Sequence, residues 1–94
     1  MAHLIVSARA REDLARLLFT HRLPANTRRR VERSVDHLPF APLAGPAMRG
    51  PWEEYRYVLG PWPWMVIIYR YWELADAVVI LRIYDGRTGA APLP

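Results

Sequence analysis

Arginine is the residue type with the most chemistry to offer in this chain. Arg56, Arg70 and Arg82 each stand inside a short run rich in β-branched and aromatic residues (residues 54–60, 64–70 and 79–87), and Arg87 closes the third run after Gly86. A guanidinium presents a fixed fork of N–H donors that matches phosphate or carboxylate oxygens two at a time. Side chains alternate along a strand, so Tyr84 points the same way as Arg82. Arg70, Arg82, Tyr84 and Arg87 are therefore the candidate set for holding an anionic or protein ligand. If Arg56, Arg70 and Arg82 all lie on the sheet face turned away from any helices, they form a basic, aromatic-lined concavity. The competing expectation is that each pairs separately with Glu53, Glu54, Glu73 or Asp85 at the strand ends.

Other chemistries are constrained by what is missing. All 13 basic residues are arginine, against 9 acidic ones, for a net charge of +4 and no lysine to act as base or Schiff-base former. There is no cysteine, which excludes disulfides, Cys-ligated zinc and thiol nucleophiles. His3, His21 and His37 are too far apart in sequence to make a metal motif, and His21 and His37 are expected at helix C-terminal carbonyls. No phosphate-binding Gly loop, dinucleotide turn or nucleophile elbow is present. Neither a cofactor nor a metal is expected. Arg28, Arg29, Arg30 and Arg33 spread around a helix rather than forming one stripe, which suits a solvated face paired with Glu32 and Asp36. Trp52, Trp62 and Trp64 flank prolines, where they can anchor a partner or cover the end of the core.

The elements that must position these residues follow from periodicity. Residues 3–7 read as a short strand. Ser7 then caps a helix over residues 8–21, with Ala10, Leu14, Leu17 and Leu18 at helical spacing. Pro24 breaks it, Asn26 can cap a second helix, and Val31, Val35 and Leu38 give that helix a narrow apolar stripe. A short linker makes the two helices a hairpin. Residues 39–51, rich in Pro, Gly and Ala, form an irregular connection. Three strands follow, at residues 55–59, 64–72 and 77–84, as an antiparallel meander whose central member is apolar enough to be covered on both faces. The result is one α+β domain over residues 1–87, in the order β-α-α-β-β-β with the helical hairpin on one face of a mainly antiparallel sheet, and a flexible tail over residues 88–94. No run approaches the roughly 20 apolar residues of a membrane span. The start lacks the pattern of a signal peptide, so the expected location is cytoplasmic.

The words Ser7-Ala-Arg-Ala-Arg-Glu-Asp-Leu14, Leu38-Pro39, Leu43-Ala-Gly45, Glu54-Tyr55-Arg56, Ile67-Ile68-Tyr69-Arg70 and Ile80-Leu81-Arg82-Ile83-Tyr84-Asp85-Gly86-Arg87, in this order, resemble the RelE/ParE superfamily of type II toxins, also called plasmid stabilisation proteins. The resemblance implies the same β-α-α-β-β-β fold, and a cognate antitoxin as partner, expected at Trp52, Arg56, Trp62 and Trp64. It also divides by target. RelE-like members are ribosome-dependent ribonucleases, which would place Arg56, Arg82, Tyr84 and Arg87 in a catalytic role. ParE-like members act on DNA gyrase, through Arg70, Arg82, Tyr84 and Arg87. Two departures favour the ParE-like branch: Met65-Val66 replaces an arginine expected early in the central strand, and Asp85 stands where many relatives carry histidine. An exposed aspartate titrating near 4 is a poor general acid at neutral pH. An inactive member that only binds its antitoxin is the third reading.

Overall fold

The hydroxyl of Ser7 accepts a hydrogen bond from the Ala10 amide at 3.1 Å, capping helix α1 (Ala8–Thr20) as its position before the apolar stripe requires. The computed structural model describes residues 1–89, 91 and 92. Strand β1 (His3–Val6) precedes α1, and helix α2 (Thr27–Val35) follows it. A 3-10 turn (Gly50–Trp52) leads into β2 (Arg56–Leu59), β3 (Met65–Trp72) and β4 (Ala77–Asp85). The expected order and α+β class are thus what the chain adopts. The sheet runs β1-β4-β3-β2, antiparallel except for β1, which lies parallel to β4 at one edge. No helix among the described residues is long and apolar enough to cross a membrane.

Both helices bury their stripes on one sheet face. Ala10, Leu14 and Leu17 of α1 and Val31 and Val35 of α2 join Met65, Ile67, Tyr69, Val78, Ile80 and Ile83 in a single core. The centre of β3 is sealed as its composition demands, with Ile67, Ile68 and Tyr69 fully buried. At the β2 edge, residues 46–48 run beside the strand: the Tyr57 amide donates to the Pro46 carbonyl and the Met48 amide to the Tyr55 carbonyl. This covers an otherwise unpaired edge. The turn from β3 to β4 closes with the Asp76 amide donating to the Glu73 carbonyl, Asp76 taking a left-handed φ of 48° that aspartate tolerates better than most residues.

One irregularity changes the faces. Ile68 pairs with Arg82 but the next residue, Tyr69, pairs with Ile80, leaving Leu81 as an extra residue in β4. Such a bulge reverses the alternation of everything beyond it. Ile80 and Ile83 therefore both face the core, and Arg82 and Tyr84 do not share Ile80's face as simple alternation predicts. Arg56 pairs with Tyr69, on the helix side, whereas Arg70 is on the opposite face. The expected basic concavity of Arg56, Arg70 and Arg82 is not formed.

The bulge lies where β1 runs out. β1 pairs with β4 only as far as Ile80, so the edge beyond is open to α1. Side chains of α1 and its cap replace the missing strand. Ser7 Oγ donates to the Leu81 carbonyl at 3.1 Å, and Asp13 Oδ2 accepts from the Ile83 amide at 3.0 Å. Past β4, the Pro92 carbonyl accepts from Arg82 Nη1 at 3.0 Å. The remainder of the tail expected to be flexible, Ala90, Leu93 and Pro94, lies outside the described residues.

Candidate functional site

Each arginine singled out by the sequence has an internal partner. Arg56 Nη1 donates to the carbonyls of Gly45 at 2.8 Å and Leu43 at 3.3 Å. Arg70 Nη1 lies 3.0 Å from Glu54 Oε2, and its guanidinium stacks 3.8 Å from the Trp72 ring centroid. Arg82 forks onto Asp13 of α1 through Nε (2.8 Å) and Nη2 (3.1 Å), a partner that strand-end reasoning does not suggest. The pair holds the proton on Arg82 more firmly than usual. Arg87, expected to leave the sheet with a free guanidinium, instead forks back onto Asp85 through Nε (2.9 Å) and Nη2 (2.7 Å). In contrast, Arg28, Arg29 and Arg33 make no ion pair among the described residues, so the expected pairs with Glu32 and Asp36 are not formed.

Asp85 corrects a second expectation, since it is only 6% exposed rather than solvated. The Arg87 side chain, followed by hydrogen bonds from His21 and the Arg87 amide, holds its carboxyl well below the usual carboxylate range, against the opposing effect of burial. A carboxyl with a depressed folded pKa contributes stability that is complete above its unfolded value near about 3.9 and is lost as the pH falls below it. The melting temperature of the wild type is accordingly expected to fall more steeply below pH ~4 than that of Asp85→Asn, which starts lower at neutral pH. Parallel slopes in thermal denaturation at graded acidity would count against this account.

The partner that sequence reasoning missed is His21. Helix α1 ends in a Schellman-type turn, with the Leu23 amide donating to the Leu18 carbonyl and Arg22 in the left-handed region at φ 50°. This geometry fixes His21 as the helix cap. Its Nε2 then lies 3.0 Å from Asp85 Oδ2, and its Nδ1 2.8 Å from Thr20 Oγ1. The expected contact of the imidazole with helix carbonyls gives way to this one. Beneath the ring lies Trp64, stacked at 4.8 Å and 22°. Trp64 stacks in turn on Trp62 at 5.8 Å, Arg30 of α2 covers Trp62 at 4.6 Å, and Arg87 lies 5.1 Å over Trp64. Trp62 and Trp64 thus belong to a cation–aromatic column joining both helices to the β2–β3 loop, while Trp52 packs separately against Tyr55.

Thr20, His21, Arg82, Tyr84 and Asp85 line an open pocket of about 330 Å³ between the end of α1 and the exit of β4. Burial, and then the nearby Tyr57, push the Tyr84 hydroxyl up from its ordinary pKa. Of the residues expected to meet a target, Arg82, Tyr84 and Arg87 therefore gather at this end of the sheet. Arg70 lies toward the opposite end of β3. Nothing in the spacing of residues 21 and 85 announces their contact.

Solved structures with this fold include toxins. A copper-bound mutant toxin from Helicobacter pylori superposes with a TM-score of 0.67 at 18% identity, covering 93% of this chain and 97% of that one. The conserved hypothetical protein HP0892 of the same organism gives 0.62 at 16% identity over the same shares. The RelBE2 toxin–antitoxin complex of Mycobacterium tuberculosis gives 0.52 at 22% identity, covering 89% and 90%. The fold is that of the RelE-like toxins. At these identities the likeness is one of architecture, and neither a family model nor a curated relative matches the sequence. On this fold the chain carries the His21–Asp85–Arg87 cluster over Trp64.

Proposed function

We propose that this chain is the toxin of a type II toxin–antitoxin pair, held inactive by a cognate antitoxin. The reading is supported by the RelE-like fold, which extends over nearly the whole chain, together with a net charge of +4 suited to an acidic partner. As its target we favour ribosome-bound mRNA. The observation that carries this is the imidazole of His21 in an open pocket, hydrogen-bonded to the Asp85 carboxylate that Arg87 also holds. Of the two sequence arguments for gyrase, the absence of a histidine at position 85 is met by His21, which the end of α1 brings to within hydrogen-bonding distance of Asp85, while Met65-Val66 in place of an arginine still stands. Gyrase is kept as the second reading because Arg56, Arg70, Arg82 and Arg87 are all engaged internally, which leaves little uncommitted charge for a phosphate chain.

Induced alone, the chain is expected to arrest growth, and co-expression with the product of an adjacent short reading frame should restore growth and yield a stable complex. Harmless expression without any such complex would remove the toxin reading. Primer extension on translated messages and a supercoiling assay with purified gyrase then separate the targets. Codon-positioned cleavage supports mRNA, and loss of supercoiling with intact messages supports gyrase.

A further inference from the structure

From the space between the two helices we infer a second binding site, for a medium-chain alkyl carboxylate whose chain enters the core and whose carboxylate stays at the mouth beside Arg11 and Arg28. The site does not depend on the toxin reading.

The core is underfilled between α1 and α2. Ala10 and Leu14 of α1, Val31 and Val35 of α2, and Ile80 and Ile83 of β4 line a space of about 250 Å³. Protein interiors hold few voids larger than a water molecule, and a gap among aliphatic side chains forfeits their dispersion contacts. Small side chains are the cause. At position 10 α1 presents alanine, and at 31 and 35 α2 presents valine, so neither helix fills the distance to the other. All six lining side chains are buried and apolar, whereas an ordered water needs two to four polar partners. The lining therefore favours an alkyl group. By proportion to the apolar cavity of about 150 Å³ that holds benzene, the space takes a chain of roughly 6–10 carbons. A peptide helix, about 10–12 Å across with its side chains, is too wide to enter between buried core residues.

The mouth supplies the polar end. Val6, Arg11, Arg28 and Glu32 complete the lining, and the three charged residues among them are exposed. None of the three forms an ion pair among the described residues, and Arg11 makes only a 3.4 Å hydrogen bond from Nε to the Val6 carbonyl. Two guanidiniums against one carboxylate leave the mouth positive. Their uncommitted donors match the two oxygens of a carboxylate, in contrast to Arg82 and Arg87, which are already engaged with Asp13 and Asp85.

The test titrates octanoate into the purified full chain, followed by calorimetry and by amide chemical shifts. Hexanoate, decanoate and dodecanoate provide a length series; octanol and octylammonium vary the head group. Shifts are expected to centre on Ala10, Leu14 and Val31, and each methylene from hexanoate to octanoate should tighten binding by about fourfold, the worth of one buried CH₂. Beyond about ten carbons the gain should stop, because the space is full. Replacing both arginines, Arg11→Gln with Arg28→Gln, changes exposed positions that leave the fold intact; it should weaken octanoate by about tenfold and leave octanol unaffected. Val31→Leu, one carbon larger, should move the preference toward shorter chains. Affinity that keeps rising through dodecanoate, or that is equal for octylammonium, would mean an adventitious surface association and overturn the site. Amides at positions 10, 14 and 31 that ignore octanoate overturn it outright. If those amides respond instead to chain concentration or to a co-expressed partner, the space belongs to a second copy or to that partner.

Discussion

Asp13→Ala is expected to destabilise the fold by about 3–5 kcal/mol, the range for removing one partner of a buried ion pair. Asp13 is 5% exposed, and its carboxylate accepts from Arg82 Nε, Arg82 Nη2 and the Ile83 amide. Alanine leaves a guanidinium with 13% side-chain exposure without its counter-charge and strands the Ile83 amide at an edge that β1 does not reach. For a domain of this size each kcal/mol corresponds to about 4–8 °C, so the melting temperature should fall by more than ~10 °C. Arg16→Ala is the control. Arg16 lies 3.8 Å from the same carboxylate but is 67% exposed, and its loss should change stability by no more than about 1 kcal/mol. Equal losses from the two substitutions would refute the assigned role of the Arg82 fork. Arg82→Ala should likewise lower stability, which makes it a poor probe of function on its own.

Gly45→Ala should cost roughly 1–3 kcal/mol through overpacking, and about 1 kcal/mol more if the bond to Tyr69 is lost. A Cβ at Gly45 would lie 2.8 Å from the Tyr69 hydroxyl and closer still to the Tyr57 carbonyl. Neither can retreat, because Tyr69 is fully buried and Tyr57 belongs to β2. The same residue donates its amide to Tyr69 Oη at 2.9 Å and offers its carbonyl to Arg56. Displacing it therefore loosens the segment that covers the β2 edge. Chemical denaturation of Gly45→Ala, Tyr69→Phe and the double variant provides the check. Removing the hydroxyl should relieve part of the clash, so the double variant should lose less than the sum of the single ones. Strict additivity would mean that the contact with Tyr69 is not what glycine avoids.

Local patterns carried most of the architecture. The cap at Ser7, the break at Pro24 and the uninterrupted apolar centre of β3 are signals read within a few residues, and the strands and α1 formed within a residue of their expected bounds, while α2 ends at Val35, short of the Leu38 assigned to its stripe. The composition also restricted the chemistry, because a chain without lysine or cysteine must work with arginine, histidine, tyrosine and carboxylates. Which of these stand together was decided by the tertiary structure. The Leu81 bulge reflects where β1 stops pairing, and it re-aims Arg82 and Tyr84 without any glycine or proline to announce it. Asp13 meets Arg82 across 69 positions of sequence, and His21 meets Asp85 across 64. Contacts of that span depend on strand register and on the angle at which a helix leaves the sheet. Periodicity records neither, since it specifies which face of an element is apolar but not which polar side chains face one another when those elements close.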